Sequence, residues 1–352
     1  YGHGAVPIAK RIDSICYGYA VATVAEGHNL RRHGITKPIF ILGYTPKTYY
    51  DMVIKEKMLP PIFSLEMAKD FSDAATGLGV EAKINIAVDT GMSRISYIPS
   101  DKAVQEIVEI NKLPNIKIES IFTHFAKADY IDKSFADKQF EEFVEFINTL
   151  EENGVHIPIH QCANSAAMME MPKTSLSLSR AGISMYGLYP SEEVDHEAMK
   201  LEPAMAIYSH VVYVKKIEAG RGISYGQTFV ADKKMKIATI PIGYGDGYPR
   251  NLSNKGYVLI NGKRADILGR ICMDQFMVDV TGMDVKAGDL VTIAGKDGNE
   301  EILIDDLAVL AGTFNYEFVC DLGKRIPRNY YLNGQYIGSH DYFHENWKLI
   351  TD

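Results

Sequence analysis

The sequence predicts an α/β barrel of the (β/α)8 kind followed by a mainly antiparallel β domain, and three observations carry that prediction. Up to about residue 202, short apolar runs alternate with amphipathic helical stretches, the pattern of a parallel sheet covered by helices. Several of those runs end in polar or small residues suited to a ligand, as strand ends do on one face of a closed barrel. After about Pro203 the apolar period changes to two and turns such as Asn261-Gly262 and Asp297-Gly298 punctuate it. The expected domains are therefore 1–202, a barrel, and 203–352, a β domain.

Taken in order, Tyr1-Gly2-His3-Gly4 runs into a helical pattern from Ala5 to Ile12. Strands are expected near Ile15 to Ala22, Ile39 to Gly43, Ile62 to Ser64, Lys83 to Val88, Ile116 to Phe122, Ile157 to Cys162 and Leu176 to Leu178. Helices are expected between them, among them Ser64 to Thr76, Asp101 to Lys112 and Ser134 to Asn153, the last with Phe140, Phe143, Val144, Ile147 and Leu150 on one face. That makes seven strands where a barrel needs eight, so the first strand is expected to precede Tyr1. In the second domain the spacing predicts strands at His210 to Val214, Ile237 to Ile240, Tyr257 to Ile260, Met277 to Val280 and Leu290 to Ile293, with one helix at Asp305 to Leu310.

Composition narrows the function. A chain of 352 residues can bury two cores. A net charge of -8 spread along the chain argues against nucleic acid or an anionic membrane as partner. No apolar run approaches the ~20 residues of a membrane span. Cys16, Cys162, Cys272 and Cys320 lie far apart and lack metal-ligand spacing, so they are read as reduced thiols of a cytoplasmic protein that holds no metal.

The candidate site centres on His160 to Gly187. Two apolar runs there break into Asn164-Ser165 and into Arg180 followed by Gly182 and Ile183, where a glycine allows close backbone approach and N–H groups can meet an anion. Ser165 also suits a helix N-cap and Arg180 a strand-end surface charge. The strand at Lys83 leads into Asp89-Thr90-Gly91-Met92-Ser93-Arg94, and that at Ile116 into Thr123-His124, with Asp129 beyond. Alone, His124 suits a core histidine and Arg94 a salt-bridging loop residue; convergence of strand ends favours one site for both.

Nearly the whole chain resembles the alanine racemase family, pyridoxal-phosphate enzymes of fold type III. Tyr1-Gly2-His3-Gly4 is similar to the end of the signature in which the cofactor lysine lies four residues before the tyrosine, which places that lysine ahead of Tyr1. Asp89 to Arg94, Ile223-Ser224-Tyr225-Gly226, Pro241 to Arg250, Gly269 to Gln275 and Arg325-Ile326-Pro327-Arg328 resemble further family blocks in the same order.

The resemblance implies pyridoxal 5'-phosphate as cofactor, its phosphate held by Tyr1, Ser165 and the backbone at Gly182 and Ile183, with Arg180 facing the pyridine nitrogen. Arginine keeps its proton, so the ring nitrogen is expected to stay unprotonated and side reactions to be suppressed. The implied reaction is racemisation of L-alanine and D-alanine by two bases, lysine and Tyr225, supplying D-alanine for peptidoglycan. Tyr225 is expected to reach the site from the partner of a homodimer; phenols ordinarily titrate near ~10, and His124 beside Arg180 is expected to assist it. Arg94 and the backbone N–H of Met273 are implied to bind the substrate carboxylate, and Asp129, Tyr244, Arg250 and Arg270 to line an access corridor.

Two positions depart from the family pattern. Ala87 stands where many members carry a carbamylated lysine that orients the arginine, so Arg94 is expected to lean on Asn85 or a bound anion instead. Lys324 stands where many have a tyrosine, which opens a serine or broad-specificity racemase as an alternative. A non-catalytic pyridoxal-phosphate carrier would need neither a β domain nor Tyr225. A decarboxylase of similar architecture would place a carboxylate, not Arg180, at the ring nitrogen.

Overall fold

The computed structural model describes residues 1–343 and divides into two compact units, one of Ala5–Leu201 and one of Tyr1–Gly4 with Glu202 onward. In the first, parallel strands β1 (Tyr19–Val21), β2 (Ile39–Ile41) and β3 (Met58–Leu59) form one run, and β4 (Pro61–Ile62), β5 (Ala82–Ala87), β6 (Ile116–Phe122) and β7 (Ile159–Gln161) form the next. Pro60 separates β3 from β4, so a single extended stretch pairs with β2 before it and β5 after it. Beyond β7 the expected strand at Leu176 to Leu178 is reduced to a parallel bridge between Gln161 and Leu178. Helices alternate with the strands: α1 (Ala5–Ile12) precedes β1, and α2 (Val24–Arg32), α3 (Tyr50–Lys55), α4 (Leu65–Leu78), α5 (Asp101–Ile110), α6 (Ser134–Glu152) and α7 (Ser165–Glu170) follow β1, β2, β4, β5, β6 and β7. A cavity of about 390 Å³ is lined by Tyr19 and Val21 of β1, Phe40, Gln161, Leu178 and Arg180.

The strands are nearly continuous apolar runs because both faces are covered: Ile84, Ile86 and Ala87 of β5 are fully buried, as are Ile39 and Ile41 of β2. The helices bury one stripe each. In α6 the buried residues are Ala136, Gln139, Phe143, Phe146 and Leu150, spaced by three and four as one helical face requires. Val144, expected on that face, is rotated off it, and the polar Gln139 takes a core position.

The second unit is built on an antiparallel sheet in the order β17 (Glu300–Ile302), β16 (Leu290–Asp297), β13 (Tyr257–Ile260), β14 (Lys263–Leu268), β15 (Phe276–Asp279), β12 (Met235–Ile240) and β9 (Tyr213–Ile217). The strand expected at His210 to Val214 is two strands. β8 (Ile207–His210) pairs with β16, and the chain then crosses to pair with β12 as β9. Val211 N–H bonds to Asp289 and Val212 N–H to Thr239, so the change of partner falls between adjacent residues. A short hairpin of β10 (Gly222–Ile223) and β11 (Phe229–Val230) projects the segment around Tyr225. The expected helix is α8 (Ile304–Ala311); a second, α9 (Asn315–Asp321), follows it, and β18 (Arg328–Leu332) with β19 (Gln335–His340) close the described chain.

Candidate active site

The ends of β5, β6 and β7 and the Leu178 bridge carry the site residues of the first unit. Asp89 organises the loop after β5 by accepting hydrogen bonds from the backbone of Gly91 and Ser93, each at 2.9 Å. Arg94 follows in that loop, exposed, and lines a small pocket with Asp89, Phe122 and His124. Asn85 does not reach it: its Oδ1 accepts the hydroxyl of Ser120 at 2.5 Å, and among the described residues Arg94 makes no hydrogen bond with it.

Gln139 joins two strand ends. Its Oε1 accepts the Ala126 N–H at 2.9 Å, and its Nε2 donates to Thr90 Oγ1 and to the His124 carbonyl, both at 3.3 Å. Thr90 and Thr123 share a hydroxyl hydrogen bond of 2.9 Å. A buried polar side chain from α6 thus sets the spacing of the β5 and β6 loops. No motif marks it, and the expected apolar face of this helix, from Phe140 to Leu150, leaves it out.

Arg180 is anchored by one end and open at the other. Its Nη2 donates to the Thr123 carbonyl at 2.7 Å and to the Cys162 carbonyl at 3.4 Å, and lies 3.4 Å from His124 Nδ1. The guanidinium also sits over the Phe122 ring. Its Nη1 is buried and has no hydrogen-bond partner among the described residues. Such an orphan donor asks for an acceptor. Burial lowers the Arg180 pKa to about 10, still far above neutrality, and Arg94 adds to the effect. Burial, then the charges of Arg180 and Arg94, lowers His124 to about 4. The imidazole is therefore neutral near pH 7, and the positive charge here belongs to the arginines.

Asn164 and Ser165 divide the two tasks proposed for them. Asn164 is the N-cap of α7, its side chain accepting the Ala167 N–H at 3.0 Å. Ser165, buried, is left to accept the Gly182 N–H at 2.9 Å, the Ser184 N–H at 3.3 Å and the Ser184 hydroxyl at 3.0 Å. Gly182 and the fully buried Ile183 lead the 3-10 turn Ile183–Tyr186, so hydroxyls and backbone donors gather at one point. Asp129 lies further out, its carbonyl accepting the Ser191 hydroxyl at 2.7 Å.

The remaining site residues belong to the second unit. The Tyr1 ring packs edge-on against Tyr316 at 5.7 Å, and the Gly2 carbonyl accepts from Arg328 Nε at 3.1 Å. Tyr225 stands at the tip of the β10–β11 hairpin with 65% of its surface exposed. Beside it, Gly226 has φ +70°, a backbone that disfavours any side chain, and Arg270 Nη1 lies 3.1 Å from where a Cβ would stand, so the guanidinium would have to shift to admit one. Tyr244 N–H bonds to the Cys272 carbonyl at 3.2 Å and Gly245 N–H to the Met273 carbonyl at 2.8 Å, tying two sequence blocks together. Arg250 and Arg270 are exposed in this unit, and Lys324 Nζ lies 5.5 Å from the centre of the Tyr342 ring.

The family profiles "Alanine racemase, N-terminal domain" and "Alanine racemase, C-terminal domain" match residues 1–190 and 204–330. The chain belongs to the alanine racemase family. It is 43% identical to an alanine racemase of Clostridium perfringens over 344 residues, 97% of this chain and 89% of that protein. It is 44% identical to one of Clostridium novyi over 345 residues, with the same coverage of 97% and 89%. Among solved structures, the alanine racemase of Clostridium difficile 630 superposes with a TM-score of 0.93 at 42% identity, covering 97% of this chain and 89% of that one. That of Bacillus anthracis with bound L-Ala-P gives 0.91 at 36% identity, with 97% and 89% covered. The alanine racemase family depends on pyridoxal 5'-phosphate, and its barrel and antiparallel β domain are the two architectures found here.

Proposed function

We propose that this protein interconverts L-alanine and D-alanine with pyridoxal 5'-phosphate, providing D-alanine for peptidoglycan. The observation that carries the reading is Arg180. A guanidinium anchored on two strand carbonyls presents a buried Nη1 that lacks an acceptor, beside a cluster of donors around Ser165. Both features fit the cofactor: Arg180 Nη1 suits the ring nitrogen, and Ser165, Gly182, Ile183 and Tyr1 suit the phosphate. When bound, pyridoxal phosphate supplies the electron sink that makes an amino acid's Cα proton removable.

The chain's own residues do the rest. Arg180 offers the ring nitrogen a hydrogen bond and keeps its proton, which limits the sink and favours simple proton exchange over other outcomes. Arg94 and the Met273 N–H hold the substrate carboxylate by charge-assisted hydrogen bonds and so fix the face presented. Tyr225 moves the proton at one face, and the family's lysine at the other. Because His124 Nδ1 faces the Arg180 donor, its proton sits on Nε2, from which it can stabilise the tyrosine oxygen. Asp129, Tyr244, Arg250 and Arg270 line the approach.

In this reading residues 1–202 form the cofactor-binding domain, and the active molecule is a homodimer in which Tyr225, together with the Met273 N–H on the segment tied to its turn, serves the partner's site and meets the partner's Arg94 there. No helix among the described residues is long and apolar enough to cross a membrane, and the four cysteines are free; we place the enzyme in the cytoplasm. The test is Tyr225→Phe in the holoenzyme. Racemisation should fall about 10²- to 10⁴-fold while cofactor absorbance at saturation is unchanged; full activity in this variant would remove Tyr225 from the mechanism, and loss of cofactor would point to a binding role.

A further inference from the structure

We propose that Asn254, with Ser224, is a positioning residue that holds Tyr225 and the Met273 N–H as one rigid piece. The inference rests on the racemase reading above and adds a device that sets the distance between its tyrosine base and its carboxylate anchor.

Tyr225 is too exposed for burial to fix it, and the hairpin beneath it has only two residue pairs, Gly222 with Val230 and Ile223 with Phe229. The turn is also strained: Ser224 and Gln227 have φ of 62° and 46°, uncommon for residues with a side chain. Strain of that kind persists only where surrounding contacts over-determine the backbone.

Those contacts come from one direction. Ser224 Oγ donates to the Arg270 carbonyl at 2.5 Å. Asn254 Nδ2 donates to Thr228 Oγ1 at 3.2 Å, while its Oδ1 accepts the Gly269 N–H at 2.6 Å. Asn254 thus bonds at once to the tyrosine turn and to the segment leading to Met273. Its φ of 58° suits asparagine. The neighbouring Ser253 Oγ accepts the Ile271 N–H at 3.0 Å, and Tyr244 and Gly245 hold the Cys272 and Met273 carbonyls from the other side.

The chemistry needs such a brace. A base and a carboxylate anchor that drift apart by about 1 Å lose on the order of 10²-fold in rate, because proton transfer depends on the bound geometry. Here both groups lie on loops, so hydrogen bonds between the loops must supply the rigidity that a helix or strand would otherwise give.

Three variants test the brace. Thr228→Val removes the bond to the tyrosine turn alone, Asn254→Gly removes both bonds while permitting the left-handed backbone, and Asn254→Asp keeps acceptors for the Gly269 N–H and the Thr228 hydroxyl. Amide hydrogen exchange, which needs no activity, should accelerate about tenfold over 222–230 in the first two and not in the third. In the holoenzyme, kcat should fall about 10- to 100-fold in Thr228→Val with KM little changed. The α-deuterium isotope effect should rise for the one enantiomer whose proton Tyr225 removes, with Asn254→Asp close to wild type. Wild-type exchange rates in Thr228→Val and Asn254→Gly, or isotope effects altered equally for both enantiomers, would overturn the proposal. If the wild-type holoenzyme racemises neither enantiomer, the reading of the activity fails, and exchange alone decides whether Asn254 holds the turn.

Discussion

Arg180 Nη2 lies 3.4 Å from His124 Nδ1, and this contact makes His124 a neutral acceptor on that side. A folded pKa of about 4 against an ordinary value near ~6.5 has a consequence for stability. The unfolded chain binds the proton that the folded chain refuses, so stability is full above about pH 6.5 and is lost as pH falls toward 4. From this residue the loss between pH 7 and pH 5 should be about 2 kcal/mol. Denaturant unfolding at the two pH values measures it, and His124→Asn should flatten the difference by that amount; an equal slope in both proteins would assign the acid sensitivity elsewhere.

Ser165→Ala and Asn164→Ala should separate in their effects although the residues are adjacent. Loss of the Asn164 cap should lower stability by about 1 kcal/mol. Loss of the Ser165 hydroxyl should weaken pyridoxal phosphate binding about tenfold or more, since a hydrogen bond to a charged group is worth roughly 1.5–3 kcal/mol. Thermal melts of the apoprotein and cofactor titration read the two quantities independently.

Gln139→Leu should be costly out of proportion to its size. It takes from the Ala126 N–H and the His124 carbonyl the partner they have in Gln139, a loss of about 1–3 kcal/mol per unsatisfied group, while the Thr90 hydroxyl keeps its bond to Thr123. Because Gln139 also holds the His124 carbonyl, kcat should fall with stability, and a stability loss without any change in kcat would show that the network serves folding alone.

Lys324→Tyr should change the preference between alanine and serine. A lysine at this position presents a flexible charged end where the family resemblance implies a ring, and admission of a more polar side chain is expected from that. The ratio of kcat/KM for the two amino acids is the readout, and a ratio equal to that of the wild type would remove Lys324 from the specificity argument.

The parts of this fold that could be read from sequence are those where burial dominates. β6 and β13 fall at the expected residues because their apolar runs are bounded by polar ones on both sides. What could not be read depends on tertiary choice. The run from His210 to Val214 looks like one strand because apolar period two is blind to which neighbour accepts each hydrogen bond, and here the neighbour changes at Val212. Helix α9 escaped notice because seven residues hold too little periodicity to stand out. In the site, the residues that carry charge or break a strand were legible through the family's motifs. Gln139 and Asn254 were not, since an amide that bridges two loops leaves no pattern in its own surroundings.

The hydrogen bond from Arg328 to the Gly2 carbonyl joins residues 326 positions apart and places the first four residues in the later unit. Arg328 also gathers the carbonyls of Leu322, Gly323 and Ile326, so that corner is one structure that needs both stretches of chain. During synthesis the residues from Ala5 to Leu201 can pair and pack as they emerge, because their strands bond to near neighbours in order. Tyr1 to Gly4 must wait on the ribosome until Arg328 has been made. The tyrosine that would meet the cofactor phosphate is thereby secured only after Arg328, 326 positions beyond Gly2, has been translated, so the far end of the later unit is a precondition for a finished site.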